Sequence, residues 1–135
     1  MTGGTGLRFF VDETSLGLGK ALAIARHDVV HPGHPDLPSV PRGTLDPDWM
    51  PIVSAMGLVV ISRDKRIRTK PAELAAFKAC SLRVFWLAGK RDLSNWESLV
   101  LMVKSWERME DIIKDCGPGP WFYAVSDGAM REFTV

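Results

Sequence analysis

Short apolar runs alternate with longer stretches of helical spacing along the chain. Leu7 to Val11 is apolar and partly aromatic and reads as a buried strand that stops at Asp12-Glu13-Thr14-Ser15. Ser15 stands as N-cap to a helix in which Leu16, Leu18, Leu22, Ala23 and Ile24 recur near helical spacing up to Arg26-His27. Asp28 to His31 then gives a brief second strand. From Pro32 to Asp46 the chain holds Pro32, Pro35, Pro38 and Pro41 with Gly33 and Gly43, a density that forbids helix and predicts a surface loop. A second helix opens at Asp46-Pro47-Asp48-Trp49, with Asp46 as N-cap and Asp48 in the first turn, and ends at Gly57. Leu58 to Ile61 is the clearest strand, β-branched and unbroken, and runs straight into Ser62-Arg63-Asp64.

Beyond it, a helix is predicted from about Pro71 through Ala79 and a strand from Leu82 to Leu87. The longest helix runs from about Ser94 to Asp115, where Trp96, Leu99, Val100, Val103, Trp106, Met109 and Ile113 are read as one apolar stripe. Gly117-Pro118-Gly119-Pro120 stops it, and Trp121–Val125 and Glu132–Val135 add strand. Strand and helix thus alternate at least four times with connections long enough for crossovers. The expected fold is a single-domain, three-layer α/β/α sandwich around a mainly parallel sheet, spanning residues 1–135.

Composition agrees with one ordinary globular domain: 135 residues, 46% hydrophobic and 24% charged. No apolar run approaches the roughly 20 residues of a membrane span, and no secretory leader is evident, so no membrane association and a cytoplasmic location are the expectations. Cys80 and Cys116 lack metal-ligand spacing and are read as small buried apolar residues. A formal charge of +1 removes any argument for nucleic-acid binding from whole-chain charge. The local distribution differs: Arg63, Lys65, Arg66, Arg68 and Lys70 crowd into eight residues, with Asp64 the only acid among them.

In an open parallel sheet, ligands sit outside the carboxyl ends of the strands. Two strands here run into aspartates, Asp12 and Asp64. The helix that opens with Asp46 and Asp48 precedes the Leu58 strand and must start at that same edge. Carboxylates brought together repel unless a cation holds them, and aspartate oxygens suit Mg²⁺ or Mn²⁺. Such a site supports phosphodiester hydrolysis, with the neighbouring basic run attracting the phosphate backbone.

Three segments carry a resemblance: Phe10-Val11-Asp12-Glu13, Asp46 through Ile52, and Val59-Val60-Ile61-Ser62-Arg63-Asp64-Lys65-Arg66-Ile67-Arg68. Together with Arg83–Leu87, the Trp96 to Trp106 helix and Gly119-Pro120-Trp121, they resemble the PIN-like domains, relatives of the VapC-type toxin ribonucleases of bacterial toxin-antitoxin pairs. The resemblance implies a Mg²⁺- or Mn²⁺-dependent endoribonuclease acting on RNA, often a homodimer and often silenced by an antitoxin protein. Position by position it makes Asp12 and Asp64 metal-binding acids. Between them either Asp46 or Asp48 fits, with Asp48 favoured because a first-turn side chain can point toward the rim. Asp12, Asp48 and Asp64 are thus the expected catalytic acids, with Asp46 in reserve as a metal ligand. A fourth family acid would fall on Asp92, or on Asn95 as a neutral substitute. Glu13 is expected to assist from behind the ligands, and Arg63, Lys65, Arg66 and Arg68 to hold substrate phosphates.

Other signals weigh less. His27, His31 and His34 sit on a strand end and a Pro-Gly loop, which gives no rigid frame for a metal. Trp96 and Trp106 read as core or dimer interface, and Trp49 as a helix anchor with a second reading, against a nucleotide. Asp12-Glu13-Thr14 lacks the second aspartate of a haloacid dehalogenase phosphatase, and a receiver-type phosphoacceptor at Asp64 lacks a well-placed lysine. The alternative function is a non-catalytic PIN-like or receiver-like module that binds a protein or nucleic acid.

Overall fold

The computed structural model describes residues 6–63, 70–88, 92–127 and 129–132. Asp64, Lys65, Arg66 and Arg68 lie outside the described residues. Among the described residues six strands form one sheet: β1 Phe9–Val11, β2 Val29–Val30, β3 Val59–Ser62, β4 Arg83–Leu87, β5 Trp121–Ser126 and β6 Ala129–Glu132. Their order is β2-β1-β3-β4-β5-β6. The first five are mutually parallel, and β6 pairs antiparallel on β5. Among the described residues are four α-helices: α1 Leu16–Ala25, α2 Asp46–Ala55, α3 Pro71–Ala79 and α4 Asn95–Cys116.

Alternation along each strand divides the core into two layers. Phe9, Val11, Val59, Ile61, Phe85 and Leu87 face α1 and α4, where they meet Leu18, Leu22, Leu101, Met102 and Met109. Phe10, Val60, Val84 and Trp86 face the other way, onto Trp49, Met50 and Val53 of α2 and Phe77 of α3. The expected α/β/α sandwich is what the chain forms. No helix among the described residues is long and apolar enough to cross a membrane.

Four details depart from the sequence expectations. The Pro-rich segment is not only a surface loop, because Leu37 and Val40 are buried beside Trp49. It closes on itself through Gly33 N–H donating to the Val40 carbonyl at 2.9 Å, which lets an unpaired segment plug the core. The stripe read on α4 is the second. Ser98, Leu101, Met102, Met109 and Ile112 are its buried residues, whereas Trp96 is 71% exposed with Val100 and Val103 on the same open side. At about 100° per residue, those three fall nearly opposite Leu101 and Met102. Trp106 does pack as core, its ring 4.7 Å from that of Phe9. Third, Cys116 is exposed, with Sγ 3.3 Å from the Tyr123 hydroxyl, and Cys80 is half-buried; both are free thiols. Finally, the last strand begins at Ala129, before the expected Glu132, because it folds back directly from β5.

At the edge where the parallel strands begin, Arg8 ties β1 to α4 by donating from both terminal nitrogens to the Glu110 carboxylate, one bond at 2.9 Å. Arg26 closes the end of α1 onto Asp28 through bonds of 2.8 and 2.9 Å and lies over the Trp106 ring. The opposite edge is left to the acids.

Candidate active site

Strand β1 delivers Asp12 to the carboxyl-end rim, where its backbone is still extended and a short 3-10 turn, Glu13–Ser15, begins. The register that sets Val11 opposite Ile61 brings Ser62 of β3 alongside Asp12. Ser62 Oγ donates to Asp12 Oδ2 at 2.5 Å, and Thr14 Oγ1 donates to Oδ1 at 2.5 Å. Asp12 is only 3% exposed, so these hydroxyls fix the direction of a carboxylate that water hardly reaches, and they do so without neutralising its charge.

The second acid comes from the start of α2. Leu45 is the N-cap and Asp46 the first helical residue, one position later than the expected capping role, with Pro47 in the first turn. Asp46 Oδ1 accepts the indole N–H of Trp49 at 3.0 Å. Trp49 is buried, packed on Phe10 with ring centroids 4.7 Å apart and edge-on to Phe77 at 5.9 Å. It is the helix anchor, not an open platform for a base. Its rings tie together β1, α2 and α3, the elements that wall the site.

A cleft of about 630 Å³ opens there, and Asp12, Glu13, Asp46 and Glu73 supply its acidic lining, with Trp49 and Met50 below them. Glu13 Oε1 accepts the Gly43 N–H at 2.7 Å, pinning the loop that leads into α2. Glu73 lies in the first turn of α3, and its Oε2 is buried with no hydrogen-bond partner among the described residues. Sequence reasoning passed over Glu73. The signal was available, since a helix that follows β3 must also start at the strands' carboxyl ends.

Of the residues expected at the site, Asp12, Glu13 and Asp46 meet at the cleft. Asp48 is exposed and is not among the lining residues. Neither Asp92 nor Asn95 reaches the cleft, and the Asn95 carboxamide fills the space a Cβ on Gly17 of α1 would take. Arg63 is engaged by the protein: its Nη1 donates to the Leu93 carbonyl and approaches Ser98 Oγ at 3.4 Å, tethering the start of α4. His31 Nδ1 lies 2.9 Å from the Pro32 carbonyl oxygen and its ring edge-packs on His34, away from the cleft lining.

Among the described residues, no three His, Cys, Asp or Glu side chains lie close enough together to hold a metal ion. The chemistry of the lining still fits a hard divalent cation. Every acidic donor is a carboxylate oxygen, one oxygen is buried without a partner, and Mg²⁺ usually keeps several waters and takes only one or two carboxylates from the protein.

Comparison with protein families matches a PIN like domain over residues 7–89. That span runs from the start of β1 past the end of β4 and contains every residue that lines the cleft. No curated protein and no solved structure matches the chain.

Proposed function

The chain belongs to the PIN-like domain family, a family whose members are generally nucleases, and from that premise we propose that the cleft is the active site of a Mg²⁺- or Mn²⁺-dependent endoribonuclease. The observation that carries this reading is the convergence of Asp12, Glu13, Asp46 and Glu73 on one cleft at the carboxyl ends of β1 and β3.

In this reading Asp12 and Asp46 hold the cation, and Asp64, which follows β3 by two residues, joins them as the third acid. Asp46 takes precedence over Asp48 because it is Asp46 that lines the cleft. A bound divalent ion lowers the pKa of a coordinated water and stabilises charge on the leaving oxygen of a phosphodiester. The protein's own contribution is placement. Ser62 and Thr14 keep Asp12 turned into the cleft, Trp49 fixes Asp46, and Glu13 holds the loop before α2 in position. Lys65, Arg66 and Arg68 draw in the RNA backbone, while Arg63 secures α4. The further assignment to a toxin paired with an antitoxin protein, and to a homodimer, rests on the resemblance of these motifs to VapC-type ribonucleases.

The test is cleavage of a labelled RNA panel by purified protein in Mg²⁺ or Mn²⁺, in EDTA, and with Asp64→Asn or Asp12→Asn. Cutting that needs metal and is lost in both variants supports the nuclease. Absence of cutting by the wild type, or equal cutting by the variants, sinks it and moves the non-catalytic binding module to first place.

A further inference from the structure

Arg83 opens β4 at the edge where the parallel strands begin, and it is half-buried there with no acid paired to it among the described residues. Its Nη2 donates to the Gly57 carbonyl just past α2 at 2.6 Å. A guanidinium has five N–H donors, so most of this one finds no acceptor among the described residues. The acids of this edge are committed elsewhere. Glu110 takes both terminal nitrogens of Arg8 and the indole N–H of Trp106, and Asp28 takes Arg26 through two bonds. Burial, and after it the charge of Arg8, push the Arg83 guanidinium below its ordinary pKa, as happens to a cation desolvated without a counter-charge.

Beside Arg83 lies a cavity of about 200 Å³, walled by Leu7, Met56, Val59 and Ile113 and also lined by Arg8. Pockets for drug-sized ligands run from about 300 to 1,000 Å³, so the guest this one takes is small. Apolar walls lower the local dielectric and strengthen a charge interaction formed inside. Arg83 brings the uncompensated positive charge, and the planar fork of a guanidinium matches an oxyanion through paired N–H bonds.

We propose that this cavity is a binding site for a small oxyanion, of the size of inorganic phosphate or a short-chain carboxylate, gripped by Arg83 beside Arg8. It is separate from the acidic cleft and stands at the opposite edge of the sheet. Its lining comes from the end of α2, the starts of β3 and β4 and the last turns of α4, so a seated anion ties those elements together. Such a guest stabilises the folded chain by mass action, because the unfolded chain has no such site. Arg83 also closes the end of α2 through Gly57, a part that a lysine can keep while losing the fork.

Melting curves and calorimetric titrations of the full chain with sodium phosphate, sodium acetate and, at matched ionic strength, sodium chloride test the site in wild type, Arg83→Lys, Arg83→Gln and Lys65→Ala. Wild type should bind phosphate or acetate saturably and melt higher in it, while chloride does neither. Which of the two binds tells a tetrahedral guest from a planar one. Arg83→Lys and Arg83→Gln should each bind at least about tenfold more weakly, having lost charge-assisted bonds, whereas Lys65→Ala should bind as wild type does. In wild type the NMR signals of the Met56 and Ile113 methyl groups should shift on titration, a reading for which no variant has to fold. Melting that follows ionic strength alone, or methyl signals that stay put, overturns the site. Undiminished binding in both Arg83 variants overturns it too, and binding lost in Lys65→Ala instead moves the anion to the basic run that follows β3. An Arg83→Gln that melts low while phosphate and acetate leave wild type unmoved reduces Arg83 to the closure of α2.

Discussion

Trp49 donates its indole N–H to Asp46 three residues back on the same helix, at 3.0 Å, while its rings are clamped between Phe10 and Phe77. The bond turns a core residue into the device that aims an acid at the cleft. Trp49→Phe keeps an aromatic ring in the core but removes the N–H. Mn²⁺ affinity should fall roughly tenfold, as when a partner supporting a metal ligand is removed, and stability should fall by about 1–3 kcal/mol. Calorimetric titration and a denaturant melt measure the two separately.

The same helix distinguishes its two acids. Asp46→Asn is expected to abolish Mn²⁺ binding and RNA cleavage, whereas Asp48→Asn, on an exposed position outside the cleft lining, should leave both within about twofold of wild type. If Asp48→Asn proves the damaging change, the helix is turned relative to the site as described.

Ser62 is fully buried, and its hydroxyl is given to Asp12 at 2.5 Å. Ser62→Ala takes a hydrogen bond from a charged, buried acceptor, for which a loss of about 1.5–3 kcal/mol is expected. Its cleavage rate should drop with little change in RNA affinity, since the hydroxyl acts on the carboxylate and not on the substrate. Comparing kcat with KM on a single RNA decides this.

Arg63 and its basic neighbours should separate by salt dependence. Substituting Lys65 or Arg66 by Ala is expected to weaken RNA binding and to lower the slope of log affinity against log salt by about one for each phosphate left without its cation. Arg63→Ala should leave that slope alone and lower the melting temperature, because the Leu93 carbonyl is deprived of its donor. Filter binding across a salt series tests both.

The clamp at the other edge of the sheet sets a pH dependence unrelated to the cleft. Hydrogen bonding from Arg8 holds the Glu110 carboxyl below its usual range. For Asp28, burial pushes upward, but the bonds and charge of Arg26 together with the charge of Arg8 outweigh it and the carboxyl is held low. A carboxyl depressed in the folded state stabilises above its unfolded pKa, near 4, and that contribution is lost as pH falls through the folded value. Glu110→Gln should therefore melt below wild type at pH 7, by the equivalent of about 0.2–1 kcal/mol for a largely exposed pair. The gap should close as the pH drops below about 4. A gap that persists at pH 2 would assign the effect to packing.

Much of the rim was legible because topology dictates it. A β-branched run that ends in an acid must deliver that acid to the strands' carboxyl end, so Asp12 could be placed from sequence alone. The choice between Asp46 and Asp48 could not be made, since two residues on one turn lie about 200° apart and the pattern does not say which way the helix is rolled. The roll is set by Trp49 wedging between Phe10 and Phe77, a contact among three elements distant in the chain. Glu73 followed from the same topological rule as Asp12, but the unpartnered oxygen that singles it out exists only once α3 is packed. Leu99, Trp106, Met109 and Ile113 of the stripe read on α4 do pack on the core, but the stripe was drawn too wide because Trp96, Val100 and Val103 are as apolar as Leu101 and Met102, and hydrophobicity alone does not rank two stripes on one helix.

Because every crossover in the parallel part of the sheet returns the chain to the same side, α1, α2, α3 and α4 all begin at the rim that carries the acids. Each helix start carries roughly half a positive elementary charge in its unpaired amides. The backbone thus lays a positive field beneath a layer of negative side chains, and the rim works as a two-tier electrode. The resident carboxylates draw on that one field, which offsets part of their mutual repulsion.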